Sequence, residues 1–254
     1  MHIAILGPGR LGRSLHALLR AGPFELSLWS RGQPVPACDV ALLTVSDGAI
    51  AEVAAQVPAG PIVLHTSGAT DVDVLRPHRP AGSLHPLQSF PGPEVAIPPV
   101  AGVPAALAGD PEAVAVARLI AEAVGFATFE VPGDRRLYHA AAVVAGNFAT
   151  VLLADAARLL EAAGVDPEAA PSVLAPLALA SIEQAARRGP AAALTGPFAR
   201  GDLDVVERHL DAISSATPDL ERLYRALGVR AATLSAAGGH LTGEELRTWI
   251  RRVT

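Results

Sequence analysis

The chain has 254 residues and a formal net charge of −5; half its residues are hydrophobic and 18% are charged. Such a composition can fill a core in one large domain or two smaller ones, and it excludes a disordered chain. The negative balance excludes the basic footprint of a nucleic-acid binder, a DNA-binding redox repressor included.

All 20 residues counted as Lys or Arg are arginines, so no step can use lysine as Schiff base or acid. The single cysteine, Cys38, excludes an internal disulfide and a zinc site built on a CxxC pair. No HExxH string is present, and no metal is expected. The chain does not open on a basic segment followed by an apolar run, so a cytoplasmic protein is expected.

In chain order, residues 2–6 form an apolar strand that runs into Gly7-Pro8-Gly9-Arg10-Leu11-Gly12. Residues 11–21 are helical in pattern, 25–30 alternate like a strand, and 40–45 read as a continuous apolar run. Residues 49–56 suit a helix and 61–65 a strand. After a Pro-rich passage (Pro91, Pro93, Pro98, Pro99) come a strand near Ala105, a helix from Pro111 and a strand over 126–131. This alternation predicts a Rossmann domain over residues 1–132, its mostly parallel sheet covered on both faces.

The rhythm changes at Pro132-Gly133-Asp134, and residues 133–254 read as an all-helical domain. Breaks fall at Gly164, Gly189-Pro190, residues 195–201, Thr217-Pro218 and Gly238-Gly239. Asp166-Pro167 and Thr217-Pro218 read as helix starts, a capping residue followed by proline. The uncharged stretch between His139 and Asp155 is about 15 residues, short of the roughly 20 a spanning helix needs. It reads as a buried helix, with no membrane association. Residues 140–154 and 173–182 are apolar nearly all round, which predicts burial on several sides and a homodimer.

The glycine string fits GxGxxG, follows a strand and opens a helix, which is the context a dinucleotide site requires. Gly7 permits the tight turn, Gly9 lets backbone approach a pyrophosphate, and Gly12 packs helix on strand. Arg10 and Leu11 open the helix whose free N–H groups would face the phosphates. An NAD site places an acid roughly 20 residues further on, at the end of the second strand. Here that strand ends in Ser30 and Arg31, and Glu25 lies at its start. A hydroxyl and a guanidinium suit a ribose 2′-phosphate, so NADP is expected ahead of NAD. Val45-Ser46 and Thr66-Ser67-Gly68 follow the next two strands and are expected to border the cofactor. Asp47 reads as a helix cap.

Further strings are His65-Thr66-Ser67-Gly68, His85-Pro86-Leu87-Gln88-Ser89-Phe90, Tyr138-His139-Ala140-Ala141 and the run from Ala193 to Asp202 that contains Leu194-Thr195-Gly196-Pro197. With the glycine loop, they make the sequence resemble, over nearly its whole length, a bacterial family that pairs a Rossmann-like domain with a C-terminal domain of unnamed function. More distantly it resembles ketopantoate reductase, pyrroline-5-carboxylate reductase and 6-phosphogluconate dehydrogenase. That resemblance implies NAD(P)-dependent reduction of a C=O or C=N bond and a C-terminal domain like that of 6-phosphogluconate dehydrogenase, which often dimerises. The sequence departs from it at one place. Ketopantoate reductase and its β-hydroxyacid relatives carry Lys four residues before Asn, and here Val143 precedes Asn147 at that spacing.

Reduction needs a hydride, a proton donor and groups that orient the substrate. The candidates are His85 and His139 as proton donors, Asn147 to polarise the carbonyl, and Arg200 with Asp202 beside Thr195. Arg200 would grip a substrate carboxylate. Asp202 has the alternative of capping the helix that follows, and Arg200 and Asp202 the alternative of pairing with each other. The reaction expected is reduction of a ketopantoate-like 2-keto acid, with imine reduction or a non-enzymatic NADP sensor as the alternatives.

Overall fold

The computed structural model describes residues 1–92 and 95–254, so Pro93 lies outside the described residues. The chain divides into two compact units, Met1–Val144 and Ala145–Thr254.

The first unit is built on a seven-stranded sheet: β1 (His2–Leu6), β2 (Glu25–Trp29), β3 (Val40–Leu43), β4 (Ile62–His65), β5 (Ala81–Pro86), β6 (Pro104–Gly109) and β7 (Ala127–Glu130). Its helices are α1 (Arg10–Leu19), α2 (Ile50–Ala54), α3 (Pro111–Val124) and α4 (Arg135–Ala145), the last reaching the unit boundary. Spatial order is β2-β1-β3-β4-β5-β6-β7. All neighbours pair parallel except β5 with β6. The mostly parallel Rossmann sheet expected from the alternation is therefore present.

Both sheet faces are dry, which is why the strands read as unbroken apolar runs. Ile3, Ile5, Val40, Leu42, Leu64, Leu84 and Leu107 enter one core with residues of α1 and α3. Ala4, Leu6, Ala41, Leu43 and Val63 enter the other with Ile50 and Val53 of α2. The run over 40–45 is not wholly apolar: Thr44 ends it, buried, just past β3.

The second unit is helical: α5 (Asn147–Ala162), α6 (Ala170–Arg188), α7 (Pro190–Ala193), α8 (Gly196–Arg200), α9 (Leu203–Ala216), α10 (Pro218–Ala237) and α11 (Gly243–Val253). Its core gathers Val206, Leu210, Ala232, Leu241, Trp249 and Val253. Thr217 occupies the cap position of α10 with Pro218 behind it, as the sequence suggests. Asp166 does not start α6. Its carboxylate accepts from Glu168 N in a separate turn, and the helix begins at Ala170.

The unit boundary falls beyond the Pro132-Gly133 break because Arg135 ties the start of α4 to the loop after β4. Its Nε and Nη2 donate to the carbonyls of Thr70 and Ser67. The burial expected of the two apolar runs is not found among the described residues. The stretch Arg135–Ala162, α4 and α5 together, is long and apolar enough to cross a membrane, and none of its most apolar window is buried. On α6, Val173 is 58% exposed and Leu177 67%. The all-round apolar pattern is real, but among the described residues much of it stays exposed.

Candidate active site

In an open parallel sheet, ligands bind beyond the carboxyl ends of the strands, where strand order reverses. Here the reversal lies between β1 and β3, which leave the sheet on opposite sides. The turns after β1, β3 and β4 and the end of β5 all meet that edge.

Gly7 sits at φ +124°, and a Cβ there would lie 2.9 Å from the Thr44 carbonyl oxygen. A Cβ on Gly12 would fall 2.0 Å from the Gly7 oxygen and 2.5 Å from Thr44 Oγ1. Both positions are therefore closed to any side chain. Gly9 meets nothing nearer than 3.9 Å, so the turn stays open to a ligand at that residue. It caps α1 without a side-chain bond, and the first turn holds no acid. The free N–H groups of that turn therefore suit a pyrophosphate. Arg10 is exposed and Leu11 packs into the core.

Thr44 escaped the sequence reading. Its hydroxyl donates to Gly7 O at 2.8 Å and fixes the glycine turn. Val45 lies against Gly7, and Ser46 holds the cap position of a short 3₁₀ turn. Asp47 is inside that turn and is not its cap. At the end of β2, Ser30 is half-buried and Arg31 faces Glu52 at 3.7 Å, both charges well exposed.

After β4 the polar groups are spent inside their own loop. The Thr66 hydroxyl donates to Leu43 O. Ser67 Oγ accepts from the backbone N–H groups of Ala69 and Thr70. These hydroxyls shape the loop. Gly68, buried in that loop, lets the rings of His85 and His139 pack directly on backbone.

Around Gly68 two side chains converge. A Cβ there would lie 2.7 Å from His139 Cδ2, 2.7 Å from His85 Cε1 and 2.9 Å from His85 Nε2. His85 is next to last in β5 and His139 rides on α4, with ring centroids 6.1 Å apart. Tyr138, absent from the candidates drawn from sequence, places its hydroxyl 2.6 Å from His85 Nδ1. Phe129 packs against the Tyr138 ring.

Arg135 lies beneath this group, 8% exposed, with no ion pair and with Nη1 lacking a hydrogen-bond partner among the described residues. His65, fully buried, accepts from Ser67 N at Nδ1 and leaves Nε2 unpartnered. Burial, with help from the Arg135 charge, pushes His65 down to about 4. Burial and then the His139 and Arg135 charges push His85 down to about 4, against an opposing pull from Asp47. Both imidazoles are therefore neutral at pH 7.

The structure thus brings His85 and His139 together over Gly68. Asn147, Arg200 and Asp202 belong to the second unit. Asn147 is exposed and opens α5 past the Gly146 break. Arg200 ends α8 and makes no ion pair among the described residues, so the pairing with Asp202 is not formed. Asp202 caps α9 by accepting from Val205 N at 3.3 Å. Among the described residues no three His, Cys, Asp or Glu side chains are placed to hold a metal.

This chain belongs to the family described as Domain of unknown function (DUF2520), whose pattern matches residues 103–231. No curated protein matches it in sequence. Among solved structures it is similar to a candidate NADP oxidoreductase of Bacteroides fragilis, 23% identical over 92% of this chain and 98% of that one, with a TM-score of 0.73. A Thermotoga maritima protein matches at 22% identity over the same shares, with a TM-score of 0.72. The 1-pyrroline-5-carboxylate reductase of Streptococcus pyogenes matches at 16% identity over 99% and 98%, with a TM-score of 0.60. At these identities the likeness establishes a shared fold.

Proposed function

We propose that this protein is a cytoplasmic, homodimeric, NADP-dependent oxidoreductase that reduces the C=O bond of a small carboxylate such as a 2-keto acid. The observation that carries this reading is the convergence of His85 and His139 over the bare backbone of Gly68. It lies at the same sheet edge as a glycine turn whose Gly12 admits no side chain. A bound nicotinamide supplies the hydride. His85 Nε2 would then offer its N–H to the oxygen that becomes anionic. Arg135, with no carboxylate bonded to it among the described residues, gives the cluster a positive field that favours a carboxylate-bearing substrate. Ser30 and Arg31 at the end of β2, without an acid beside them on that strand, support a 2′-phosphate.

The likeness to a pyrroline-5-carboxylate reductase favours a second reading, C=N reduction. An imine is reduced most readily once protonated, which calls for an acid still charged near neutral pH. His85, pushed down to about 4, is a poor one. A carbonyl needs only a neutral donor whose proton follows the hydride, and His85 meets that need.

Titration with NADPH and NADH, followed by nicotinamide fluorescence, tests the cofactor. NADPH is expected to bind more tightly, and Arg31→Ala to weaken it about 10- to 100-fold. A panel of 2-keto acids and cyclic imines then tests the substrate class, with 2-keto acids expected to oxidise NADPH. If neither nucleotide binds, the oxidoreductase reading fails.

A further inference from the structure

The cluster over Gly68 contains one group that no step has used. Tyr138 is half-buried, stacked edge-on against His85 with centroids 5.6 Å apart, and its hydroxyl meets Nδ1 at 2.6 Å. A phenol is a better donor than a neutral imidazole N–H, and an imidazole nitrogen is a better acceptor than a phenol oxygen. The bond therefore runs from Tyr138 O–H to Nδ1, which leaves the ring proton of His85 on Nε2. The ring edge that carries Cε1 and Nε2 packs on Gly68, at 2.7 and 2.9 Å from where a Cβ would stand. His85 is thus a bridge with a proton waiting at each end.

We propose that Tyr138 is the proton reservoir of the reaction, refilling His85 at Nδ1 as Nε2 delivers its proton to the reduced substrate. This rests on the reductase reading above. With a reduced nicotinamide as hydride source, the carbonyl π pair moves to oxygen as hydride reaches carbon. The oxygen takes the proton from Nε2, and that N–H pair stays on the ring. Nδ1 takes the phenolic proton, and the O–H pair stays on Tyr138 as phenolate. Water reprotonates the phenolate once product leaves. His85 changes tautomer and never becomes a cation, which suits a ring that burial and its neighbours hold neutral.

A second observation bears on the phenolate. Arg135, three residues before Tyr138 on α4, is a buried cation with Nη1 unpartnered and no bonded carboxylate. Burial pushes the Tyr138 phenol above its ordinary value, and the Arg135 charge offsets part of that rise, so the phenolate is a transient that Arg135 makes less costly. Asp71 offsets this buried charge from a distance without bonding to it, and a transient anion one turn away gives that charge a use. The charged and titratable groups that bear on His85 are Arg135 and His139 on α4 and Asp47 in the turn after β3; its charge in turn bears on His65 of β4.

The test uses the full chain with ¹⁵N-labelled histidine, beside Tyr138→Phe. In the wild type, His85 is expected to show the Nε2–H tautomer and no protonation from pH 5.5 to 8. Tyr138→Phe should lose the Nδ1 hydrogen-bond shift while NADPH affinity is unchanged. With a 2-keto acid that turns over, Tyr138→Phe should lower kcat about 100-fold with KM held. The wild-type kcat should stay flat from pH 5.5 to 8. An Nδ1–H tautomer in the wild type, or a Tyr138→Phe variant with full kcat, would overturn the proposal. If the tautomer is as expected but no carbonyl or imine oxidises NADPH, the reductase reading fails and takes the reservoir with it, and only the hydrogen-bond assignment survives.

Discussion

The two units solve the problem of burial differently. The largest side chains fully removed from solvent, from Ile3 to Leu107, all belong to the first unit. A sheet with helices on both faces closes its own core within one chain. The second unit buries a small cluster around Trp249 and leaves Phe148, Val151, Val173 and Leu177 on open helix faces. Sheet edges organise a site by bringing strand ends together. Helix faces of this kind are made to meet something else, which in the reading above is a second copy. Each unit carries one buried tryptophan, Trp29 in the first and Trp249 in the second. Trp249→Phe and Trp29→Phe backgrounds therefore follow the units one at a time.

The largest effect is expected at Gly12. In Gly12→Ala the new methyl would meet Gly7 O at 2.0 Å, and backbone at that distance must move. We expect several kcal/mol of destabilisation, read as an earlier urea transition of Trp29, with loss of NADPH binding. The Trp249 transition should not shift. Equal shifts of both tryptophans would break the distinction between the units.

Acid should separate them next. His65 and His85 fall from an ordinary 6.5 to about 4 when folded. The folded state therefore disfavours their protonation. Their stability contribution is complete above pH 6.5 and is lost as pH falls through about 4, on the order of a few kcal/mol for the pair. Both lie in the first unit, so the Trp29 transition should weaken between pH 6.5 and 4. His65→Asn should flatten that dependence.

Much of this was legible in advance, for physical reasons. A parallel strand buried on both faces leaves a near-continuous apolar run, and Gly7, Gly9 and Gly12 have a spacing that backbone geometry dictates. His85 and His139 were legible as residue types, and their meeting was not, because strand β5 and helix α4 are far apart in sequence. Tyr138 was legible only as part of a string and not as a site residue, and Arg135 gave no signal: an arginine after a loop reads as solvated, and only the fold shows it buried. Thr44 was hidden inside an apolar run. Asp202 was legible in its lesser role, as a cap. The exposed runs of α5 and α6 were misjudged because an all-round apolar helix reads the same whether its cover comes from its own chain or from another.

That ambiguity is testable. Val173 and Leu177 lie one turn apart on α6 and share a face. If a second copy covers them, each contributes about 1.5–3 kcal/mol to association. Val173→Asp with Leu177→Asp should convert a dimer of wild-type chains to monomers by light scattering, with the Trp29 transition and NADPH affinity unchanged. A wild type that is already monomeric at micromolar concentration would leave the faces without this partner.

The smallest expected effect lies at the edge of the cofactor turn. Arg31 and Glu52 are 3.7 Å apart and their side chains are 65% and 60% exposed. So exposed a pair is worth about 0–1 kcal/mol, less than the roughly 1.5–3 kcal/mol of a charge-assisted bond to phosphate. A 2′-phosphate should therefore draw Arg31 away from Glu52, and the acid should act only as a weak competitor. Glu52→Gln is expected to tighten NADPH binding a few-fold and leave NADH nearly unchanged, with the difference shrinking as salt is raised. Weaker NADH binding in that variant would mean that Glu52 itself holds the ribose hydroxyls. The turn after β2 would then be an NAD site with an acid supplied from α2, and the comparison of Arg31 with Glu52 would reverse.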